Sequence, residues 1–217
     1  MSRSRLPEII KGLYVITREE PDLQRTHLGI CREALLAGAR LIQLREKTSS
    51  PEVLLQVARE MSLVCRRAGA LFIVNDYVEL TANCGAGGFH FGYCPERLAE
   101  FRRTLGDNAV LGMSVDTLGE ALLAQEKGAD YVSLGPIFGT QTKTDLPPPC
   151  GLEKIVELKS QLRIPLVVIG GITESNIGQV AAAGADAAAV ITAVTRAPSV
   201  KQAVENLIRN FRDGRNA

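Results

Sequence analysis

Short apolar runs alternate with longer amphipathic stretches along the whole chain. The runs are "GLYVIT" (12–17), "LIQLRE" (41–46), "LFIVND" (71–76) and "GFHFG" (88–92), then "AVLGMSV" (109–115), "DYVSLGPI" (130–137), "IPLVVIGGI" (164–172) and "DAAAVITAV" (186–194). Runs of this length that are apolar on both faces predict strands of a parallel sheet covered on each side. Between them the spacing changes to three and four. In "SPEVLLQVAREMSLVCRRAGA", Val53, Leu54, Val57, Ala58, Met61 and Val64 fall on one helical face. Ser50 before Pro51 predicts an N-cap and first turn, and Thr117 with Glu120 has capping-box spacing. Gly38-Ala39, Gly69-Ala70, Gly128-Ala129 and Gly184-Ala185 mark helix ends, where glycine can turn left-handed and release the next strand.

Eight such β-then-α units predict a closed (β/α)8 TIM barrel, an α/β fold, as a single domain over residues 1–217, with polar tails at about 1–10 and 212–217. A doubly wound sheet is the alternative, but it typically has fewer strands, and no GxGxxG opens the first helix. Such barrels typically need about 250 residues, so 217 implies lean loops.

Composition narrows the function classes. With 25 Lys+Arg against 24 Asp+Glu the formal net charge is +1, so no global field draws the chain to nucleic acid or an anionic membrane. Any anion must be caught locally. The five cysteines are scattered, with neither CxxC spacing nor paired histidines nearby, which argues against a disulfide framework or a zinc site. No leader-type apolar segment follows the basic start, and no run reaches about 18 apolar residues. A reducing, cytoplasmic setting is the expectation.

Chemistry in this architecture gathers where strands end. Gln43, Arg45 and Lys47 share period two, so an extended "QLREK" would aim all three into the barrel. Inward cations need an anion, either Glu46 or Asp76 in an ion pair, or a ligand that Lys143 would also meet. Lys143 as a Schiff-base residue is the other reading, but the hydroxyls of Thr140 and Thr142 beside it suit anion binding better. The glycines of "IGGIT", before a helix expected near Thr173 or Glu174, suit a phosphate, since strands seven and eight carry the usual phosphate site of such barrels; a tight left-handed connection is the plain alternative. Strand eight ends in Ile191 and Thr192. Asp76 is the candidate magnesium ligand; Asn75-Asp76 as a helix cap is the plain alternative. Ser114 and Asp116 end strand five. His90 reads as a packed histidine, His27 as remote from the rim, and Cys84 and Cys94 as inert.

Together "GLYVIT", "QLREK", "VNDYVEL", "GFHFG", "GMSVDT", "YVSLGPIFGTQTKTD", "VVIGGIT" and "GADAAAVITAV" resemble the thiamine-phosphate synthase family in order and spacing over about residues 12–211, most specifically in "GPIFGTQTKTD". The resemblance implies a transferase that joins hydroxymethylpyrimidine pyrophosphate to hydroxyethylthiazole phosphate with Mg2+, by a dissociative route through a pyrimidine-stabilised cation. Carried over by motif, Arg45, Lys47, Asn75, Ser114 and Lys143 would contact the pyrophosphate. Gln43 would seat the pyrimidine and Asp76 would bind magnesium. Thr140, Thr142, Gly171, Ile191 and Thr192 would hold the thiazole phosphate. A homodimer is the family's common state. The chain departs from the family at Gly92-Tyr93-Cys94-Pro95, where an aspartate usually binds magnesium; either Glu96, one position on, takes its place, or Asp76 and the pyrophosphate hold the ion with more water. Asp116 stands where the family usually has histidine, and either brings a carboxylate back to the rim or turns outward. Related readings are a thiazole tautomerase-like paralogue, which usually lacks the "TKTD" loop, and a non-catalytic phosphometabolite-binding barrel.

Overall fold

The computed structural model describes residues 6–139 and 148–216. Eight parallel strands close on themselves: β1 (Gly12–Thr17), β2 (Leu41–Leu44), β3 (Leu71–Asn75), β4 (Gly88–Phe91), β5 (Val110–Val115), β6 (Tyr131–Leu134), β7 (Leu166–Ile169) and β8 (Ala187–Val190). β8 pairs back onto β1, with Val15 opposite Val190, so the two ends of the chain meet in one wall. The described helices are α1 (Leu6–Ile9), α2 (His27–Leu36), α3 (Pro51–Arg67), α4 (Val78–Cys84), α5 (Leu98–Leu105), α6 (Leu118–Glu126), α7 (Gly151–Lys159), α8 (Ile177–Ala182), α9 (Thr192–Thr195) and α10 (Val200–Arg215). The predicted starts hold: the Ser50 hydroxyl accepts the Val53 N–H at 3.4 Å and the Thr117 hydroxyl that of Glu120 at 3.1 Å. Gly38, Gly69, Gly128 and Gly184 all have φ between +66° and +99°, as the predicted left-handed helix ends require.

Strand alternation sorts the side chains into two cores. One set points outward against the helices; the other fills the barrel with Tyr14, Leu41, Leu71, Ile73, Val110, Tyr131, Val167 and Ala187. The N-terminal limit differs from the predicted tail, because Ile10 is fully buried in the inner cluster. At the other end α10 continues to Arg215, with Phe211 buried and the Arg215 guanidinium 3.8 Å from Asp186. The amphipathic spacing of α10 therefore outweighs the polar composition of its last turn.

Three predicted elements end or begin elsewhere, each for a local reason. β2 stops at Leu44, because the Glu46 carboxylate gathers the next residues into a turn. Its Oε1 accepts from the N–H groups of Lys47 and Thr48 at 2.7 and 2.6 Å and from the Thr48 hydroxyl at 2.6 Å. The helix expected near Thr173 starts at Ile177, since Asn176 ties up the segment: its Oδ1 accepts the Thr173 N–H and its Nδ2 donates to the Gly171 carbonyl. After β8 the chain turns at Ile191, the N-cap of the short helix α9, rather than continuing as strand.

Candidate active site

Above the apolar filling, the last inward positions of the strands carry a polar layer. Gln43, Asn75, His90 and Ser133 are each at most 8% exposed, and Ser114 is half-buried. A chain of hydrogen bonds crosses the barrel beneath it. Gln43 Nε2 donates to the Tyr14 hydroxyl at 2.7 Å, and Tyr14 and Tyr131 share a bond of 3.1 Å. The Tyr131 hydroxyl meets His90 Nδ1 at 2.9 Å, and His90 Nε2 meets the Ser114 hydroxyl at 3.1 Å. Burial pushes both tyrosine pKa values up, and at Tyr131 the neighbouring Tyr14 adds to the effect. Both remain neutral phenols that can donate and accept at once. His90 is therefore a bridge between the core and the site, not a merely packed ring. Gly112 makes room for the Tyr131 ring, on which a Cβ there would fall.

The cations of the β2 loop lie differently from the expectation. Gln43 points into the barrel, bonded to Tyr14; Arg45 and Lys47 lie beyond the end of β2, Arg45 half-buried and Lys47 exposed. Neither forms an ion pair among the described residues. The Glu46 alternative fails because that carboxylate is committed to its own loop and to His27. Burial alone would raise the Glu46 pKa, but bonds from Thr48, His27 and the Lys47 N–H outweigh it and bring it to about 2. His27 itself belongs to the rim. Its Nδ1 is 2.7 Å from the Thr17 hydroxyl at the end of β1, and its Nε2 is 3.3 Å from Glu46.

At the end of β3, Asn75 is buried, yet its side-chain amide makes no hydrogen bond among the described residues. Asp76 turns left-handed at φ +66°, its N–H held by the His90 carbonyl at 2.9 Å. Neither residue caps α4: its N-cap is Tyr77, which makes no side-chain cap bond. The Asp76 carboxylate is exposed and has no hydrogen bond or ion pair among the described residues. Glu96, in a 3-10 turn at Pro95–Arg97, is also exposed. Burial and then the charge of Glu96 raise the Cys94 pKa, with smaller contributions from Glu100 and Asp76. Cys94 thus stays a thiol, as expected, and the two candidate carboxylates act on one neighbourhood.

A cavity of about 690 Å³ opens at the strand ends of the other half-barrel. Ser114, Ser133, Gly171, Ile191, Thr192 and Asp116 contribute to its wall, so Asp116 does return to the rim. The predicted glycine turn is tighter than phosphate binding alone would explain. Gly171 has φ +64°, and a Cβ would come within 2.8 Å of Phe138 Cβ, against the backbone that follows β6. Two residues that sequence reasoning missed, Arg18 and Arg196, also line this cavity. Both are held by buried Glu20, which accepts from Arg18 Nε and Nη2 at 2.9 and 2.6 Å, Arg196 Nη1 at 2.6 Å and the Thr195 hydroxyl at 2.8 Å. Burial opposes ionisation of Glu20, but these bonds hold its pKa below the usual carboxylate value. Thr140, Thr142 and Lys143 lie outside the described residues.

A parallel eight-stranded barrel with a polar layer at its strand ends, and a cavity running to a Gly-Gly turn and a short helix after β8, has the layout of a (β/α)8-barrel enzyme. Comparisons with known proteins narrow the class. The family model described as thiamine monophosphate synthase matches residues 13–194. The thiamine-phosphate synthase of Methanoregula boonei is 41% identical over 195 residues, 90% of either chain. That of Chloroflexus aurantiacus is 40% identical over 90% of both. The solved thiamine phosphate pyrophosphorylase from Pyrococcus furiosus superposes with a TM-score of 0.84 at 32% identity, covering 95% of this chain and 98% of that one. The chain belongs to the thiamine monophosphate synthase family.

Proposed function

We propose that the chain is a thiamine-phosphate synthase, a transferase that joins hydroxymethylpyrimidine pyrophosphate to hydroxyethylthiazole phosphate and releases pyrophosphate. The observation that carries this reading is the continuity of the site. One cavity joins Ser114, at the end of the interior hydrogen-bond chain, to Gly171 and the first turn of α9. Two substrates could therefore meet end to end. In the reaction, the carbon–oxygen bond to pyrophosphate breaks with the electron pair leaving on oxygen. The thiazole nitrogen then donates its lone pair to the resulting pyrimidine-stabilised cation. Such a step needs positive charge aimed at the leaving group rather than a strong base. Arg45, Lys47 and Lys143 would supply that charge, and Asn75 and Ser114 would add hydrogen bonds. Gln43 would seat the pyrimidine. Thr140, Thr142, Gly171, Ile191 and Thr192 would hold the thiazole phosphate, and a helix's first turn suits that task because its N–H groups lack acceptors within the helix.

The residues present fit magnesium. Among the described residues no cluster of three or more His, Cys, Asp or Glu could cage a metal, but magnesium commonly takes one or two carboxylates and completes its shell with phosphate oxygens and water. The unengaged Asp76 carboxylate suits that role, with Glu96 as the second candidate in place of the family's usual strand-four aspartate. When bound, the ion would neutralise charge on the departing pyrophosphate.

The test is to supply purified protein with both substrates and magnesium and to follow thiamine phosphate by its fluorescence after oxidation. Product formation is expected. Isomerisation of a thiazole phosphate without condensation would instead indicate a tautomerase, and binding without turnover a non-catalytic barrel.

A further inference from the structure

Whatever anion enters the cavity must be met by the charges in its wall. Among its described lining residues these are Arg18, Arg196 and Asp116. The two arginines are not equivalent. Arg196 gives Nη1 to Glu20 and both Nη1 and Nη2 to Asp22, at 3.2 and 2.7 Å, so two carboxylates neutralise it. Arg18 shares only Glu20, through Nε and Nη2, and its Nη1 donates no hydrogen bond among the described residues. Its side chain is 35% exposed, whereas that of Glu20 is only 5% exposed. The pair therefore works as a buried anchor with a cationic fork fixed to it. Barrel closure sets the fork's position: Val15 in β1 lies opposite Val190 in β8, so Arg18, three residues on, emerges beside the start of α9. Thr195 of α9 is bonded to the same Glu20 carboxylate at 2.8 Å, which ties fork and helix to one point.

We propose that Arg18 is a further binding residue for the phosphate monoester at the β7–β8 end of this cavity, with Glu20 as its positioning residue. The inference rests on the thiazole-phosphate reading of that end. A planar guanidinium held on one edge keeps its other edge for a phosphate oxygen, in a geometry that lysine cannot reproduce. The Arg18–Glu20 pair does not need ligand to form, so little ordering remains to oppose binding.

Calorimetric titration with hydroxyethylthiazole phosphate tests this without requiring turnover. In the Arg18→Ala protein the dissociation constant should rise about ten-fold or more, the scale of a lost charge-assisted hydrogen bond. The constant for hydroxymethylpyrimidine pyrophosphate should stay within about two-fold. Arg18→Lys should fall between wild type and alanine, and Glu20→Gln should weaken the same ligand less than Arg18→Ala, with melting temperatures checked for each. Equal weakening of both ligands would reduce Arg18 to a structural strut and overturn the proposal, as would an unchanged constant or no binding of the thiazole phosphate by wild type. If Arg18 governs binding but wild type makes no thiamine phosphate, the synthase reading falls and this one stands. Product formation with Arg18-independent binding would leave the synthase reading standing and overturn the role of Arg18.

Discussion

Replacing Gly112 by alanine would put a methyl group where the Tyr131 ring lies. The ring cannot shift without consequence, because its hydroxyl bonds to Tyr14 at 3.1 Å and to His90 Nδ1 at 2.9 Å in a fully buried setting. Overpacking a close-packed core costs about 1–3 kcal/mol. Loss of two buried hydrogen bonds adds about 1 kcal/mol each. The expected destabilisation is thus about 3–5 kcal/mol, or a melting temperature lower by about 6–20 °C for a chain of this size. Urea denaturation of wild type, Gly112→Ala, Tyr131→Leu and the double variant would measure it. The alanine should cost less than about 1 kcal/mol once the tyrosine ring is gone, which gives a clear coupling energy. A Gly112→Ala protein within about 0.5 kcal/mol of wild type, or an equal cost in both backgrounds, would refute the reasoning.

Acid stability should depend on Glu46. Its pKa falls from 4.5 to about 2 on folding, so its contribution is complete above the unfolded value and is lost as pH drops from about 5 to 2. The full shift corresponds to about 3 kcal/mol, which solvent screening at this partly exposed site reduces to about 1–2 kcal/mol, and the stability difference between wild type and Glu46→Gln should shrink across that window in melts at pH 5, 3.5 and 2.5. Asp76→Asn should raise the magnesium concentration needed for half-maximal turnover more than Glu96→Gln does; the reverse order would move the metal to the strand-four loop.

The strands and their order were legible because a parallel strand buried on both faces is written as a continuous apolar run, as "LFIVN" shows. Helix starts at Ser50 and Thr117 were legible because a cap acts within three residues. Placement at the rim was legible only where it depends on a residue's own strand, as with Gln43, Ser114 and Gly171. Glu20 and Arg196 were not, since 176 positions separate them and only closure of β1 on β8 brings them together. His27 looked remote because its partners, Thr17 and Glu46, come from two different strand ends. The direction of Arg45 and Lys47 depended on β2 remaining extended, and a single carboxylate, Glu46, turns the loop instead.

The proposal that positive side chains at the barrel mouth ease pyrophosphate departure is tested most directly by the single-turnover rate of Lys143→Ala, measured with both substrates saturating. A group that stabilises charge only as the bond breaks lowers the rate itself, not merely apparent affinity. A fall of about 100- to 1,000-fold in a protein that melts like wild type is predicted. A rate within about three-fold of wild type would contradict it.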